Sequence, residues 1–307
     1  MEDSDIFLSD VNKYFKDVHI LKDISFKAKK GQIFGFLGPN GAGKTTTIKL
    51  ILGLLKQDNG VVNTLGMNLY KDSIESINTK ERIGAMLDFH GLNFKMTGLE
   101  NLIYCGKLYG LRYSDAKYNA LKAIKKLELC EWKDKPIYQY SHGMEKRLSF
   151  AKTILNDPEI LILDEPTNGV DPASRLILRD LMIEMKENNK LIFMSSHDLE
   201  EIQKICTDLA IINKGKILFH GSIKKFQDEF SEKTYYLVFK TNSEREKYIE
   251  KYRNNIKNLE IKDRLISFTL INNHNVDFKL NSIIFKFIEA KSVEDGYFNI
   301  IKREEES

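Results

Sequence analysis

Cysteine is scarce in this chain. Only Cys105, Cys130 and Cys206 occur among 307 residues, far apart and without the paired spacing of a metal knuckle. Neither a disulfide framework nor a zinc site is expected, and the pattern suits a reducing cytosol. Long apolar runs are missing too. No segment approaches the about 20 consecutive apolar residues that a membrane-spanning helix needs. The start, Met1-Glu2-Asp3-Ser4-Asp5, is acidic and polar, unlike a secretory leader. Nor is there an excess of one charge. With 47 basic and 44 acidic residues the formal net charge is +3. That near balance argues against a nucleic-acid binder, and most of the scattered lysines are expected to be solvated. No repeat or low-complexity tract is evident. What remains is length enough for a full core and for about two domains.

Against this background one local pattern stands out. Gly38-Pro39-Asn40-Gly41-Ala42-Gly43-Lys44-Thr45-Thr46 fits G-x-x-x-x-G-K-[ST], a phosphate-binding loop. Its glycines leave room for phosphate oxygens and let successive backbone N–H groups turn inward. Lys44 is suited to the β- and γ-phosphates of a nucleoside triphosphate and the Thr45 hydroxyl to Mg²⁺. The flanks agree. Gln32 to Leu37 reads as a buried strand, and Thr46 to Leu55 places Ile48, Ile51, Leu52 and Leu55 at helical spacing. Phosphate would then sit at a helix N-terminus.

A second apolar run, Ile160-Leu161-Ile162-Leu163, ends in Asp164-Glu165-Pro166-Thr167. Such a run reads as a strand covered on both faces. Its C-terminal end is where an open α/β sheet binds ligand. Two adjacent buried carboxylates need a cation or a proton to offset them. Asp164 is expected near Mg²⁺, directly or through water, and Glu165 is expected to polarise an attacking water as general base.

Between these motifs lies Tyr140-Ser141-His142-Gly143-Met144-Glu145-Lys146-Arg147-Leu148. With this segment in this order, the chain resembles the ATP-binding subunit of an ATP-binding cassette (ABC) transporter. It looks like the bacterial drug- and peptide-export branch, with a Tyr-Ser-x-Gly-Met signature. The family signature is Leu-Ser-Gly-Gly-Gln. Ser141 and Gly143 match it, while Tyr140, His142 and Met144 depart from it. The resemblance implies that Ser141 and the Gly143 amide, with His142 and Met144 beside them, face the γ-phosphate held by a second subunit. It implies a D-loop at Asn168-Gly169-Val170-Asp171 that communicates across the dimer. It also implies a switch histidine at His197, closing the buried strand Leu191 to Ser195, and an aromatic stacking on adenine at Phe15. Tyr14 adjoins Phe15, so that register stays open by one. Asp88 stands where the family usually has Gln; as a hard-oxygen ligand it could join Thr45 and Asp164 at Mg²⁺, but direct coordination stays open.

The fold class expected is α/β, an ABC cassette with a mostly parallel sheet, an antiparallel β-subdomain and an inserted helical subdomain over about residues 89–155. Thr97-Gly98-Leu99-Glu100 is a capping-box signature opening that block. Residues 1–230 are assigned to the cassette and 231–307 to a small α+β accessory domain, in which Val276 to Phe287 is ambiguous between helix and strand. The function implied is ATP hydrolysis driving export of a drug, peptide or lipid-like substrate. The cofactors implied are ATP and Mg²⁺. The partners implied are a separate multi-span membrane permease and a second ABC subunit, at the cytoplasmic face of the membrane, without nucleic acid. The alternative is a soluble mechanical ATPase acting on ribosomes or nucleic acid. It predicts twin cassettes or a long coiled-coil insertion, and the sequence has neither.

Overall fold

The computed structural model describes residues 4–71, 73–87, 91–231, 233–271, 276–278, 280–289 and 292–305. The chain divides into two compact units, Met1–Ser222 and Ile223–Ser307.

The first unit is organised by a six-stranded sheet. Its strands are β3 (Ile33–Leu37), β5 (Ile83–Met86), β6 (Ile160–Asp164), β7 (Leu191–Ser196), β8 (Asp208–Asn213) and β9 (Lys216–Ser222). The spatial order is β5-β6-β7-β3-β8-β9. The first five run parallel, and only β9 returns antiparallel, through the turn at Lys214-Gly215. Every residue of β3, β6 and β7 is buried. Alternation sends Ile33, Leu161, Leu163, Ile192 and Met194 into one apolar cluster. Phe34, Phe36, Ile160, Ile162 and Phe193 enter another on the opposite side. Both faces are apolar because both are covered, the condition under which parallel sheets persist.

The first face packs on helices α3 (Gly98–Leu108), α4 (Tyr113–Lys126), α5 (His142–Thr153) and α6 (Pro172–Glu187), through side chains such as Leu102, Ile124, Leu148 and Leu178. The capping box at the start of α3 is formed: Glu100 N–H donates to Thr97 Oγ1 at 3.2 Å, and Thr97 N–H to Glu100 Oε2 at 2.8 Å. The second face meets α1 (Lys44–Ile51) and a three-stranded antiparallel sheet of β1 (Ile6–Phe15), β2 (Val18–Ala28) and β4 (Asn59–Thr64). Phe26 of β2 lies 5.3 to 5.9 Å from the rings of Phe34, Phe36 and Phe193. β1 is the middle strand of this sheet. Helix α2 (Ile74–Lys80) is short and was not evident in the sequence. Helix α7 (Leu199–Ile205) is tied to α6 by Arg175–Asp198 at 3.2 Å and Arg179–Glu201 at 2.8 Å. Among the described residues, no helix is long and apolar enough to cross a membrane.

An ionic cluster stands just before β6, at the end of the strand away from the acid pair. Arg82 Nε donates to Glu159 Oε1 at 2.5 Å, and Lys30 Nζ to Oε2 at 2.5 Å. The Arg82 hydrogen bond, then that from Lys30, pulls the Glu159 carboxyl from 4.5 to about 2. A carboxylate with a lowered folded-state pKa contributes its full stability above its ordinary pKa and loses it as pH falls. Glu159→Gln is therefore expected to destabilise the chain by about 1 kcal/mol at pH 7, the upper range for partly exposed pairs. The difference from wild type should shrink as pH falls from 4.5 towards about 2. Urea unfolding of both proteins at pH 7 and at pH 3 checks this; an equal gap at both would contradict it.

The second unit begins at Ile223, eight residues before the boundary drawn from sequence, because α8 (Ile223–Phe230) pairs with α10 (Val293–Glu305). Asn299 Nδ2 of α10 donates to the Phe230 carbonyl at 2.9 Å. The unit's sheet joins β10 (Thr234–Phe239), β11 (Ile256–Lys262), β12 (Leu265–Leu270) and β13 (Ile283–Glu289) in the order β11-β12-β10-β13, all antiparallel. Helix α9 (Asn242–Tyr252), capped by Thr241, brings Tyr248 and Tyr252 onto Leu237, Phe239 and Phe268. The segment left ambiguous by sequence is thus strand from Ile283 to Phe287.

Candidate active site

Parallel pairing brings the ends of three strands to one level. Leu37 of β3 sits opposite Ser196 of β7, and Asp164 of β6 sits opposite Ser195 of β7. The segments leaving these ends are the phosphate loop, the acid pair and His197. Because β7 lies between β6 and β3, the loop and the acids are one strand apart across the sheet. They face a common cleft of about 670 Å³.

The loop wraps around its own lysine. Lys44 is buried, and its Nζ donates to the carbonyls of Gly38 at 2.7 Å and Pro39 at 3.4 Å. Gly43 turns into α1 with φ +113°, and a β-carbon there would lie 2.6 Å from Leu21 Cδ2. A side chain at that position would meet both backbone strain and the β2 wall. Helix α1 opens at Lys44, two residues before the sequence suggested, so Thr45 and Thr46 lie in its first turn. Pro39, Asn40, Gly41, Gly43, Lys44, Thr45 and Thr46 line the cleft, whereas Gly38 and the buried Ala42 do not.

The acid pair divides into two environments. Asp164 is buried and accepts from Thr45 Oγ1 at 2.9 Å and from Ser195 Oγ at 2.5 Å. Glu165 reaches into the cleft. Its Oε1 is 3.4 Å from Lys44 Nζ and its Oε2 is 3.0 Å from His197 Nδ1. Its backbone is left-handed, with φ +47°, a conformation uncommon for a side-chain-bearing residue and one the surroundings must hold. Thr45 Oγ1 and Asp164 form a pair of hard oxygen donors of the kind Mg²⁺ takes. Asp88, the third candidate, lies outside the described residues.

Of the two neighbouring aromatics, Phe15 lines the cleft. Tyr14 instead stacks on His19 with ring centroids 4.0 Å apart. Ser141 caps α5, accepting the Met144 N–H at 3.3 Å. Gly143 lies so close to the following loop that a β-carbon would be 2.3 Å from Asp171 Oδ2. Asp171 itself caps α6 through the Ser174 N–H at 2.9 Å. That hydrogen bond, with a second from the Ser174 side chain, holds its carboxyl below the usual carboxylate range. Ser141 to Met144 are thus brought against Asn168 to Asp171 but do not line the cleft, whereas Asn168 does.

Two site neighbours were missed in the sequence. Ser195, fully buried in β7, bridges Asp164 and the Glu165 N–H. Lys146, buried in α5, places its Nζ 3.5 Å from the Glu165 carbonyl. Ser195 carried a faint signal, as the first polar residue after the apolar run Leu191 to Met194.

A phosphate loop running from β3 into α1, with an acid pair one strand away, defines a P-loop nucleoside triphosphatase. Comparison with known proteins narrows the class. The sequence matches the ABC transporter family over residues 21–168. It is 34% identical over 238 residues to the ABC transporter ATP-binding protein NatA of Bacillus subtilis (strain 168), covering 76% of this chain and 96% of NatA. The bacitracin transport ATP-binding protein BcrA of Bacillus licheniformis is 37% identical over 212 residues, covering 68% of this chain and 67% of BcrA. The structure of cbiO1 from Clostridium perfringens, part of the ABC transporter complex cbiONQ, superposes with a TM-score of 0.66 at 27% identity, over 74% of this chain and 92% of cbiO1. The chain belongs to the ATP-binding proteins of ABC transporters, and its fold class is the one expected from the sequence.

Proposed function

We propose that this chain hydrolyses ATP to drive export of a drug, peptide or lipid-like substrate through a separate multi-span membrane permease. It would act as a peripheral subunit on the cytoplasmic face, paired with a second ABC subunit. The observation that carries the ATPase chemistry is the placement of Glu165 between Lys44 at 3.4 Å and His197 at 3.0 Å, beside the Thr45–Asp164 pair. The export reading draws on relatives named for bacitracin transport and Nod factor export.

In this mechanism the triphosphate enters along the N-terminus of α1, where unpaired N–H groups favour anions. Lys44 exchanges the Gly38 and Pro39 carbonyls for β- and γ-phosphate oxygens, and Phe15 stacks on the adenine. Mg²⁺ at Thr45 and Asp164 would neutralise charge on the phosphates. Losing the Lys44 contact frees the Glu165 carboxylate to orient and deprotonate the attacking water. His197, at hydrogen-bonding distance from Oε2, fixes the carboxylate's direction and is placed to reach the γ-phosphate. Ser141, the Gly143 amide and the positive end of α5 would face the γ-phosphate bound by the second subunit, with His142 and Met144 at the rim. The 168–171 loop, packed on Gly143, would carry the state of one site to the other. Residues from Ile223 onward serve as an accessory module outside the ATP site.

Affinity purification of the tagged full chain from detergent-solubilised source membranes tests the reading. A multi-span membrane protein in near-stoichiometric amount is expected. Recovery with ribosomes or nucleic acid instead would favour a mechanical ATPase.

A further inference from the structure

The geometry points to Ser195 as a positioning residue for hydrolysis: its hydroxyl couples the Asp164 carboxylate to the backbone of Glu165 and so holds the Glu165 side chain over the cleft. This inference rests on the reading of Glu165 as general base.

The direction of the hydrogen bonds follows from the groups themselves. Glu165 N–H is a donor only, and it lies 3.0 Å from Ser195 Oγ. Ser195 therefore accepts there and spends its one proton on Asp164 Oδ1, at 2.5 Å. The other oxygen, Asp164 Oδ2, accepts from Thr45 Oγ1 at 2.9 Å. A directed chain thus runs from Glu165 N–H through the Ser195 hydroxyl to the Asp164 carboxylate, which the Thr45 hydroxyl meets from the phosphate loop. Hydrogen bonds to a carboxylate are among the stronger ones, and a polarised hydroxyl is a better acceptor for the next N–H. Ser195 is fully buried.

What this chain holds is an unusual backbone. Glu165 sits at φ +47°. The strand ends at Asp164, and the left-handed turn sends the next side chain towards Lys44 and His197 rather than along the sheet. The peptide on the far side of Glu165 is held as well: its carbonyl accepts Asn168 N–H at 3.3 Å and lies 3.5 Å from Lys146 Nζ. With the carbonyl end anchored from α5 and the 168–171 loop, the N–H end needs its own anchor to fix the turn. Ser195 is that anchor. Because it also holds Asp164, one hydroxyl ties the Thr45–Asp164 pair to the Glu165 peptide.

The test uses the full chain and three variants, Ser195→Ala, Ser195→Thr and Glu165→Gln, with steady-state ATP hydrolysis, equilibrium ATP binding and thermal melting. Misplacing a reacting group by about 1 Å costs on the order of 100-fold in rate. Ser195→Ala is therefore expected to lower kcat about 10- to 100-fold while the ATP dissociation constant moves less than about threefold. Ser195→Thr keeps the hydroxyl and is expected to recover most of kcat. A merely structural serine would instead give an alanine variant with a lower melting temperature and unchanged kcat. If Glu165→Gln abolishes turnover but Ser195→Ala hydrolyses ATP within about twofold of wild type, the positioning role is overturned while the base assignment stands. If Ser195→Thr melts like wild type yet is as slow as Ser195→Ala, the hydroxyl is not the agent and the inference fails. If Glu165→Gln turns over like wild type, the base reading itself fails and takes this inference with it.

Discussion

Lys44→Ala should abolish ATP hydrolysis and nearly all nucleotide-dependent stabilisation. In the structure the ammonium is buried in the loop and held by the Gly38 and Pro39 carbonyls and the Glu165 carboxylate. A triphosphate would replace the two carbonyl contacts with charged phosphate oxygens. Charge-assisted hydrogen bonds are worth about 1.5–3 kcal/mol each, so losing two raises the ATP dissociation constant by roughly 100-fold or more. The chemical step loses more, because charge develops on the phosphoryl oxygens. Removing one donor from such a site costs about 10²–10³ in kcat. The binding arm is read by thermal shift. Ligand at 100 times its dissociation constant stabilises the wild type by about 2.7 kcal/mol. The same concentration acting on a site weakened 100-fold gives only about 0.4 kcal/mol. Lys44→Ala also leaves Glu165 without its cation, so the nucleotide-free variant should melt slightly lower. A variant with wild-type ATP stabilisation and turnover would remove the phosphate-binding role from the loop.

The phosphate loop and acid pair were legible because their chemistry is local in sequence. Nine successive residues, Gly38 to Thr46, carry the loop, and the acids directly follow the apolar run Ile160 to Leu163. Ser195 was not legible in the same way. Its role depends on Asp164 pairing opposite it across two strands 31 residues apart, and a pairing register is not written in either strand alone. Lys146 reads as one more solvated lysine until α5 packs it beside Glu165. The choice between Tyr14 and Phe15 was unreadable for another reason. β1 slips register between Leu8 and Val11, again before Lys13, and again before Tyr14. Each slip changes which face a residue meets, so alternation cannot be extrapolated to the strand's end. The division between the units was drawn eight residues later than Ile223 because the allegiance of α8 rests on α10, about seventy residues further on. The capping box at Thr97, by contrast, needs only residues three apart and formed as written.

Glu165→Gln should bind ATP, hydrolyse it hardly at all, and accumulate as a dimer. The substitution changes one atom and removes one charge. The amide retains an oxygen that can accept from His197, whose Nδ1 now stands 3.0 Å from the carboxylate. Asp164 keeps Thr45 and Ser195, and the Glu165 N–H bond to Ser195 does not involve the side chain. The Lys44 ammonium loses an anion 3.4 Å away and becomes more available to phosphate. Affinity for ATP should therefore hold or rise. What disappears is a group able to take a proton from water, a contribution of about 10²–10⁴-fold. If two cassettes close around ATP and hydrolysis reopens them, blocking hydrolysis leaves the closed state occupied. Size-exclusion chromatography with ATP and Mg²⁺ should then show a dimer for Glu165→Gln and mostly monomer for Lys44→Ala, which cannot hold the ligand that joins the subunits. The contrast separates two failures that look alike in an activity assay. A slow Glu165→Gln protein that stays monomeric with ATP bound would keep Glu165 as the base but remove ATP as the link between subunits. A dimer that forms without nucleotide would place the interface elsewhere, away from Ser141 and the start of α5.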